Sequence, residues 1–433
     1  MKSIRNSIAL PALTLIVAMA ACDLSVTNPG AVQDPFLDDP GAHPAVVAGA
    51  EYTLVQALNM AAFFGADAAK ETTQGGRIHP IKLPPNPGQL DHTLTELPTN
   101  AWDRAHNARW VAEDGVRRLK ETMGDAFNNS PLGAQILLYA GYANRLLGEN
   151  MCEAVIDGSD VQPRNVHLTR AEAFFTEAMT VAAAANRAAD LGMAARAGRA
   201  SVRLWLANNA GASEDAAAVP LTFAYRAQFS TSTPQENHQN WMWYITSNTP
   251  YRAYSVWNTF YDSYFTQTGD PRVAWTKSAT TPNSEFSNVP WYFQQKYTSA
   301  TSPMNLSTGR EMVLIRAEVA LRAGNSFEAL NLVNSIRTGV RNQAGTQIPL
   351  WTATSVTEAW TALKRERGIE LWLETRRLGD LWRWVDGNTP GTMEDVTNRI
   401  RLCFPIATTE LRTNPNLSLD HQSPRNPRYT ASN

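Results

Sequence analysis

The stretch "RERGIELWLETRRLGDLWRW", residues 365–384, sets Glu366, Glu370, Glu374 and Asp380 with five arginines among Trp372, Trp382 and Trp384. Laid on a helix, Leu363, Ile369, Trp372 and Leu373 share one face, and Leu378, Leu381 and Trp382 carry the apolar surface onward. Arg367 stands three residues before Glu370, Glu374 three before Arg377, and Arg376 four before Asp380, so each acid has a base within ion-pair reach. Carboxylates four apart could serve acid–base chemistry, but a catalytic acid needs its pKa moved by burial or a like charge, whereas neighbouring arginines hold it ionised. The pattern therefore favours structure over catalysis. Glu366 and Glu370 as a glycosidase pair would lie along one helix turn, with no cleft of their own.

The chain has 433 residues and a formal net charge of −2. That length suits two or three domains or one large helical body. Near-balanced charge lacks the broad basic surface that neutralises phosphates, so no nucleic acid is expected as a partner. There is no His-Glu-x-x-His, no glycine-rich phosphate loop with Lys and Ser/Thr, and no Gly-x-Ser-x-Gly elbow. The seven histidines are scattered, and one such as His106 in a helical run reads as a satisfied side chain. No metal and no cofactor is called for.

The N-terminus, "MKSIRNS" followed by "IALPALTLIVAMAAC", joins Lys2 and Arg5 to an apolar run too short for a stable membrane span, and reads as a secretory signal peptide over 1–21. Met19-Ala20-Ala21-Cys22 resembles a bacterial lipobox, with Met in place of the usual Leu. Cys22 is then the lipidation site, and 22–39, rich in Asp, Pro and Gly, is a lipid-anchored linker. Cys152 and Cys403 remain in a chain destined for an oxidising compartment. A disulfide between them and two separate buried thiols both fit the sequence.

The body spans 40–433. Asp39-Pro40 is a helix start, and Val46, Val47, Ala50, Leu54, Ala57 and Leu58 keep helical spacing, which predicts a helix over about 40–63. Residues 72–100 carry prolines and glycines throughout and read as a long surface loop. Amphipathic runs at 101–122, 133–149, 170–189 and 193–209 follow, with Ala140, Ala143, Ala171, Ala178 and Ala197 allowing close helix approach. Residues 310–340 read as helix, Gly-Asn turn, helix. Helical pairs of this kind stack in the tetratricopeptide manner, here over about 101–210 and 310–384, degenerate and interrupted.

The interruption, about 220–303, changes composition abruptly. It holds five tryptophans and eight tyrosines amid Ser, Thr, Asn and Pro. Such a segment builds irregular loops; its rings either pin those loops to the frame or offer apolar faces to sugar rings, with Asn, Gln and Thr for hydroxyls. The rings taken as ligand-binding candidates are Trp241, Trp243, Tyr251, Tyr254, Trp257 and Trp291.

The stretch "LKRERGIELWLETRRLGDLWRW" strongly resembles the C-terminal signature of the SusD/RagB family of outer-membrane nutrient-binding lipoproteins. Glu366, Arg367, Glu370, Leu371, Glu374, Arg376 or Arg377, Asp380, Leu381, Arg383 and Trp384 match it, with Thr375 where the family often has Gly. "LIRAEVALRAGN", "CFPIATTELRTNPNL", "GDPR" at 269–272 and the lipobox extend the likeness along nearly the whole chain.

The resemblance implies a mainly α, tetratricopeptide-like scaffold with a loop-rich insertion, lipid-anchored at the cell outer membrane and facing outward. It also implies a non-enzymatic role: capture of a nutrient, most often an oligosaccharide and for some members a peptide, by a protein that acts as a lid over a SusC-like TonB-dependent barrel. The ligand site is expected in the loops at 72–100 and 220–303. Asp23 departs from one sorting pattern, since in some proteobacteria that residue retains lipoproteins at the inner membrane. Two other classes compete: a glycoside hydrolase using Glu366 and Glu370, or Asp262 and Asp270, and a scaffold that binds only proteins.

Overall fold

The computed structural model describes residues 34–75, 90, 97–232, 238–248, 251–285 and 287–430. The signal peptide, Cys22 and most of the expected 72–100 loop lie outside these residues. The linker's last residues, Asp34–Asp38, form a 3-10 turn fastened to Arg118, which reaches Asp34 (2.5 Å) and Asp38 (2.8 Å).

Asp39 caps Gly41 N as expected, but Pro40–Ala42 is a 3-10 turn, and the first α-helix, α1, runs from His43 to Ala68. It is followed by the two-residue strand β1 (Thr73–Gln74), then by α2 (Leu97–Met123) and α3 (Pro131–Asn150). Ser130 and Pro131 show why α3 starts where it does. The Ser130 hydroxyl accepts from Leu132 N and Gly133 N, and proline at the first helical position costs no backbone hydrogen bond. A short hairpin, β2 (Glu153–Ala154) with β3 (Gln162–Pro163), leads to α4 (Asn165–Ala184), α5 (Met193–Trp205) and α6 (Asn209–Ala217). The expected helix at 193–209 is thus broken after Trp205, where Ala207 takes a positive φ of 60°. Helices α3, α4 and α5 pack closely around Phe175. A Cβ on Gly141 or Gly198 would come within 2.6 and 2.4 Å of its ring, so both positions need glycine. Ala140, Ala143, Ala171, Ala178 and Ala197 are buried in these seams.

The insertion has a structural boundary. Strand β4 (Ala224–Ala227) enters it and β8 (Met304–Thr308) leaves it, and the two pair antiparallel. Inside are α7 (Trp241–Thr246), β5 (Tyr254–Ser255), which pairs with β1, α8 (Phe260–Thr268), and the hairpin β6 (Trp275–Lys277) with β7 (Tyr292–Gln294). Because β4 and β8 bring its ends together, α6 packs directly on the next frame helix, α9 (Gly309–Arg322). After the expected Gly324-Asn325 turn, Asn325 caps α10 (Ser326–Arg337).

Residues 365–384 do not form one helix. Helix α11 (Val356–Glu370) stops, Leu373 and Thr375 take positive φ (60° and 67°), and α12 (Arg377–Asp386) sets off anew. The neighbour ion pairs expected along one helix are replaced by distant ones. Arg367 meets Asp380 (2.9 Å), Arg376 meets Glu149 (3.0 Å), Glu374 meets Lys296 (2.6 Å) and Arg377 meets Glu394 (3.1 Å). A C-terminal segment carrying α13 (Thr408–Thr413) then covers α2 and the β2–β3 hairpin, and Cys152 and Cys403 form a disulfide with Cα atoms 4.9 Å apart.

Candidate functional site

The four carboxylates weighed for acid–base chemistry are all engaged. Glu366 accepts from Arg272 Nη1 (2.6 Å) through Oε1, and from Arg337 Nη1 (2.6 Å) and Trp351 Nε1 (2.8 Å) through Oε2. Glu370 takes the same Arg272 nitrogen at 2.9 Å. Two carboxylates clamped on one guanidinium leave no room for a substrate between them. Asp270 is fully buried beside Arg272 and the Tyr264 hydroxyl. Burial alone would raise its pKa, but the hydrogen bonds and charge of Arg272 hold it below the usual carboxylate range. Asp262 accepts from Asn258 N at 3.0 Å. The "GDPR" motif is thus the bolt between insertion and signature: Gly269, at φ 66°, ends α8, and Arg272 reaches across to α11.

The aromatic side chains of α7 are set differently. Asn240 caps this one-and-a-half-turn helix by accepting from Trp243 N (3.1 Å), and its amide donates to Ser302 O (2.8 Å). Asn59 on α1 accepts from Trp241 N (3.0 Å) and donates to Gln239 O (2.9 Å). Buried Met242, Ile245 and Thr246 seat the inner face. With its start held by these bonds and its last residue, Thr246, accepting from Trp291 Nε1 (2.8 Å), the helix keeps Trp241 and Tyr244, one turn apart, on a face that is only half-buried. Their rings lie 6.2 Å apart, and Tyr244 in turn lies 4.4 Å from Tyr251, to whose hydroxyl its own donates at 2.7 Å. The result is a row, Trp241–Tyr244–Tyr251, backed by buried Phe63.

The six ring candidates therefore divide. Trp241 and Tyr251 come together through Tyr244, which was counted among the insertion's tyrosines but not among the candidates. Trp243 and Trp257 are half-buried, Trp243 lying roughly 200° around α7 from Trp241. Tyr254 and Trp291 are 1% and 2% exposed and present no face to a ligand. Tyr254 packs edge-on against Phe63 at 5.0 Å, and Trp291 donates to Thr246 O at 2.8 Å beneath α7. Aromatic burial area made them pins for the loops, and composition alone does not distinguish a pin from a platform.

A second ring-lined hollow escaped the sequence. Phe260 and Tyr264 of α8 meet Trp351, which lies outside the insertion in the segment before α11, around a pocket of about 420 Å³. The Arg337 guanidinium lies 4.5 Å from the Trp351 ring. No local pattern links Trp351 to α8; only the fold does. Among the described residues no group of His, Cys, Asp and Glu is arranged to hold a metal ion.

Residues 235–401, from the insertion through the signature, match the model of the SusD family. Solved structures share the fold over most of the chain at low identity. A SusD superfamily protein from Bacteroides vulgatus ATCC 8482 is 12% identical, with a TM-score of 0.62 over 88% of this chain and 98% of its own. A SusD-like carbohydrate binding protein from the same organism is 14% identical, with a TM-score of 0.61 over 90% and 99%. A SusD/RagB family protein from Bacteroides thetaiotaomicron VPI-5482 is 11% identical, with a TM-score of 0.60 over 85% and 94%. No curated protein matches the chain. The matched region holds both the aromatic row and the clamped Arg272–Glu366 signature, and the helices around it repeat the fold of the SusD superfamily structures, so the chain has the SusD fold and carries a segment that matches the SusD family model.

Proposed function

We propose that the protein is a lipoprotein, anchored through Cys22 at the outer face of the outer membrane, that captures an oligosaccharide and passes it to a SusC-like TonB-dependent barrel. The observation that carries the reading is the row Trp241–Tyr244–Tyr251, half-buried rings of which the first two stand on a short helix anchored by Asn59 and Asn240 at its start and by Trp291 at Thr246, and the third is joined to Tyr244 by a hydroxyl hydrogen bond. Rings fixed before the ligand arrives lose little freedom on binding, so stacking energy is retained as affinity. A solved relative of the same fold is described as carbohydrate binding, which favours a sugar over a peptide. The engagement of Glu366, Glu370 and Asp270 in ion pairs supports a role without catalysis. Among the described residues no helix is long and apolar enough to cross a membrane, which accords with a lipid tether.

Titration calorimetry against a panel of neutral oligosaccharides tests the site. For any sugar that binds, Trp241→Ala with Tyr251→Ala is expected to weaken affinity about ten-fold or more, about 1.4 kcal/mol, with unchanged circular dichroism. Unchanged affinity in that double variant would remove the row from the site. Gentle extraction of native outer membranes with the tagged protein tests the partner. A TonB-dependent barrel recovered in near-equal amount is the expected result, and recovery of the protein alone counts against delivery.

A further inference from the structure

On other elements than α7, a pocket of about 370 Å³ opens where the start of α4 meets the ends of α5, α9 and α12. Arg164, Asn165, Trp205, Arg322, Arg383 and Asp386 contribute to its wall. Arg322 and Arg383 both bind the fully buried Glu318, Arg322 Nη2 to Oε1 at 2.9 Å and Arg383 Nη2 to Oε2 at 2.7 Å. Arg383 also holds Asp380, which Arg367 shares. Arg164 differs from both. Its guanidinium carbon lies 5.0 Å from the ring of Trp205 and 5.0 Å from that of Trp382, a cation between two indoles. Its Nη1 is sealed from solvent and finds no hydrogen-bond partner among the described residues.

The charges do not cancel. Arg164, Arg322, Arg367 and Arg383 face Glu318, Asp380 and Asp386, four cations against three anions, and Asp386 is exposed and makes no ion pair with Arg164 within 4 Å. Arg164 is half-buried as a residue, its Nη1 alone being sealed, and two ring faces stabilise a cation without neutralising it. Burial pushes the Arg164 guanidinium down to about 10, against the attraction of Asp386. Asn165, the first residue of α4, places the positive end of a 20-residue helix in the same wall.

We infer that this pocket is a second binding site, for an oxyanion, held by Arg164 between Trp205 and Trp382 with Arg322 and Arg383 alongside. The occupant is the carboxylate or sulfate of an acidic saccharide. Planar guanidinium forks match such groups, and the pocket is larger than an inorganic anion needs. It lies apart from the neutral-sugar surface on α7; the oxyanion site stands on its own geometry, whereas a saccharide as the carrier of that oxyanion rests on the proposed glycan role.

Calorimetry of the full chain with sodium glucuronate, sodium sulfate and glucose, at constant ionic strength, tests it. Saturable binding of glucuronate is expected, at least ten-fold weaker in Arg164→Gln, while binding of neutral oligosaccharides at α7 stays unchanged in that variant. Glucuronate bound more tightly than sulfate identifies an acidic sugar as the occupant; the reverse order identifies a free ion, and both uphold an oxyanion site. Exposed Asp386→Asn keeps the test open should Arg164→Gln fold poorly: removing the competing charge should tighten glucuronate two- to three-fold. No saturable heat with either anion, glucose binding equal to glucuronate, or affinity unmoved in both variants overturns the inference.

Discussion

Thr375 is a β-branched residue at φ 67°, and it stands where related signatures often carry glycine. A left-handed backbone crowds a branched Cβ at a cost of roughly 1–2 kcal/mol, while glycine adopts it freely and loses more entropy on folding. The Thr375 hydroxyl recovers a part by accepting from Arg376 Nη1 at 3.1 Å. Thr375→Gly should therefore raise stability by about 0.5–1 kcal/mol, read as a higher denaturation midpoint in urea; a lower midpoint would mean the hydroxyl contact outweighs the strain. The same turn depends on Glu71, 2% exposed, whose Oε1 accepts from Leu373 N at 2.9 Å. Burial raises its pKa from 4.5 to about 8, only partly opposed by the Leu373 hydrogen bond and by Arg377 and Lys296. The neutral acid is the form the fold favours, so its stabilising contribution is complete below about pH 4.5 and is lost as pH climbs through 8. Glu71→Gln should be more stable than the parent above pH 8 and should flatten the fall in melting temperature between pH 6 and 9. An equal fall in both proteins would assign the alkaline loss to another group.

Residues 365–384 show what periodicity can and cannot reveal about an element. The apolar spacing was legible, and so was the structural role of the acids, because five arginines stand among the four of them. The break was not, since Leu373 and Thr375 carry no glycine or proline to mark it, and once the chain turns there most charges find partners far away in sequence, Asp380 with Arg383 being a pair that stays local. Arg376, for instance, leaves its own helix to donate to Glu149 on α3 (3.0 Å) and to Leu306 O beside β8 (2.7 Å). Glu149 is also held by Arg145, which reaches Glu311 on α9 at 2.5 Å. One buried cluster thus ties α3, α9, β8 and the signature turn. Arg376→Ala should cost about 3–5 kcal/mol, because it strips a partner from a buried carboxylate, measurable by urea unfolding. A loss under about 1 kcal/mol would mean that Arg145 alone suffices. Composition sets off an insertion at about 220–303, since rings and Ser/Thr-rich turns do not continue a helical repeat, and the antiparallel pair of 224–227 with 304–308 lies near those bounds. Which rings face outward was not legible. Tyr254 and Trp291 are buried where Trp241 and Tyr251 are only half-buried, and the groups they pack on, Phe63 and Thr246, come from other elements.

Across the whole molecule the chain closes on itself. The helical frame, α1 to α6 and α9 to α11, is built mainly from neighbours in sequence, whereas residues 399–430 have only α13 as regular helix and must be held from outside. Arg399 donates to Ala68 O at 3.1 Å, Arg401 to Leu90 O at 3.3 Å, and Asn414 to Ser159 O at 3.0 Å. The covalent hold is Cys152–Cys403, across 251 residues, flanked by backbone bonds from Cys152 N to Phe404 O (2.9 Å) and from Phe404 N to Asn150 O (2.8 Å). Sequence left this pairing open, because two cysteines so far apart carry no spacing signal; the parallel contact of Met151 with Phe404 brings them together. Closing so long a loop restricts the unfolded chain strongly, about 5–6 kcal/mol on a chain-entropy account. Cys152→Ser with Cys403→Ser should lose stability on that order, and reductant should lower the parent to the level of the double variant while leaving the variant unmoved. If the tail is the weakly held part, limited proteolysis of the variant should cut first within 399–430 and leave the helical frame intact. First cuts inside α3 or α9 would instead mean that the bridge supports the frame itself.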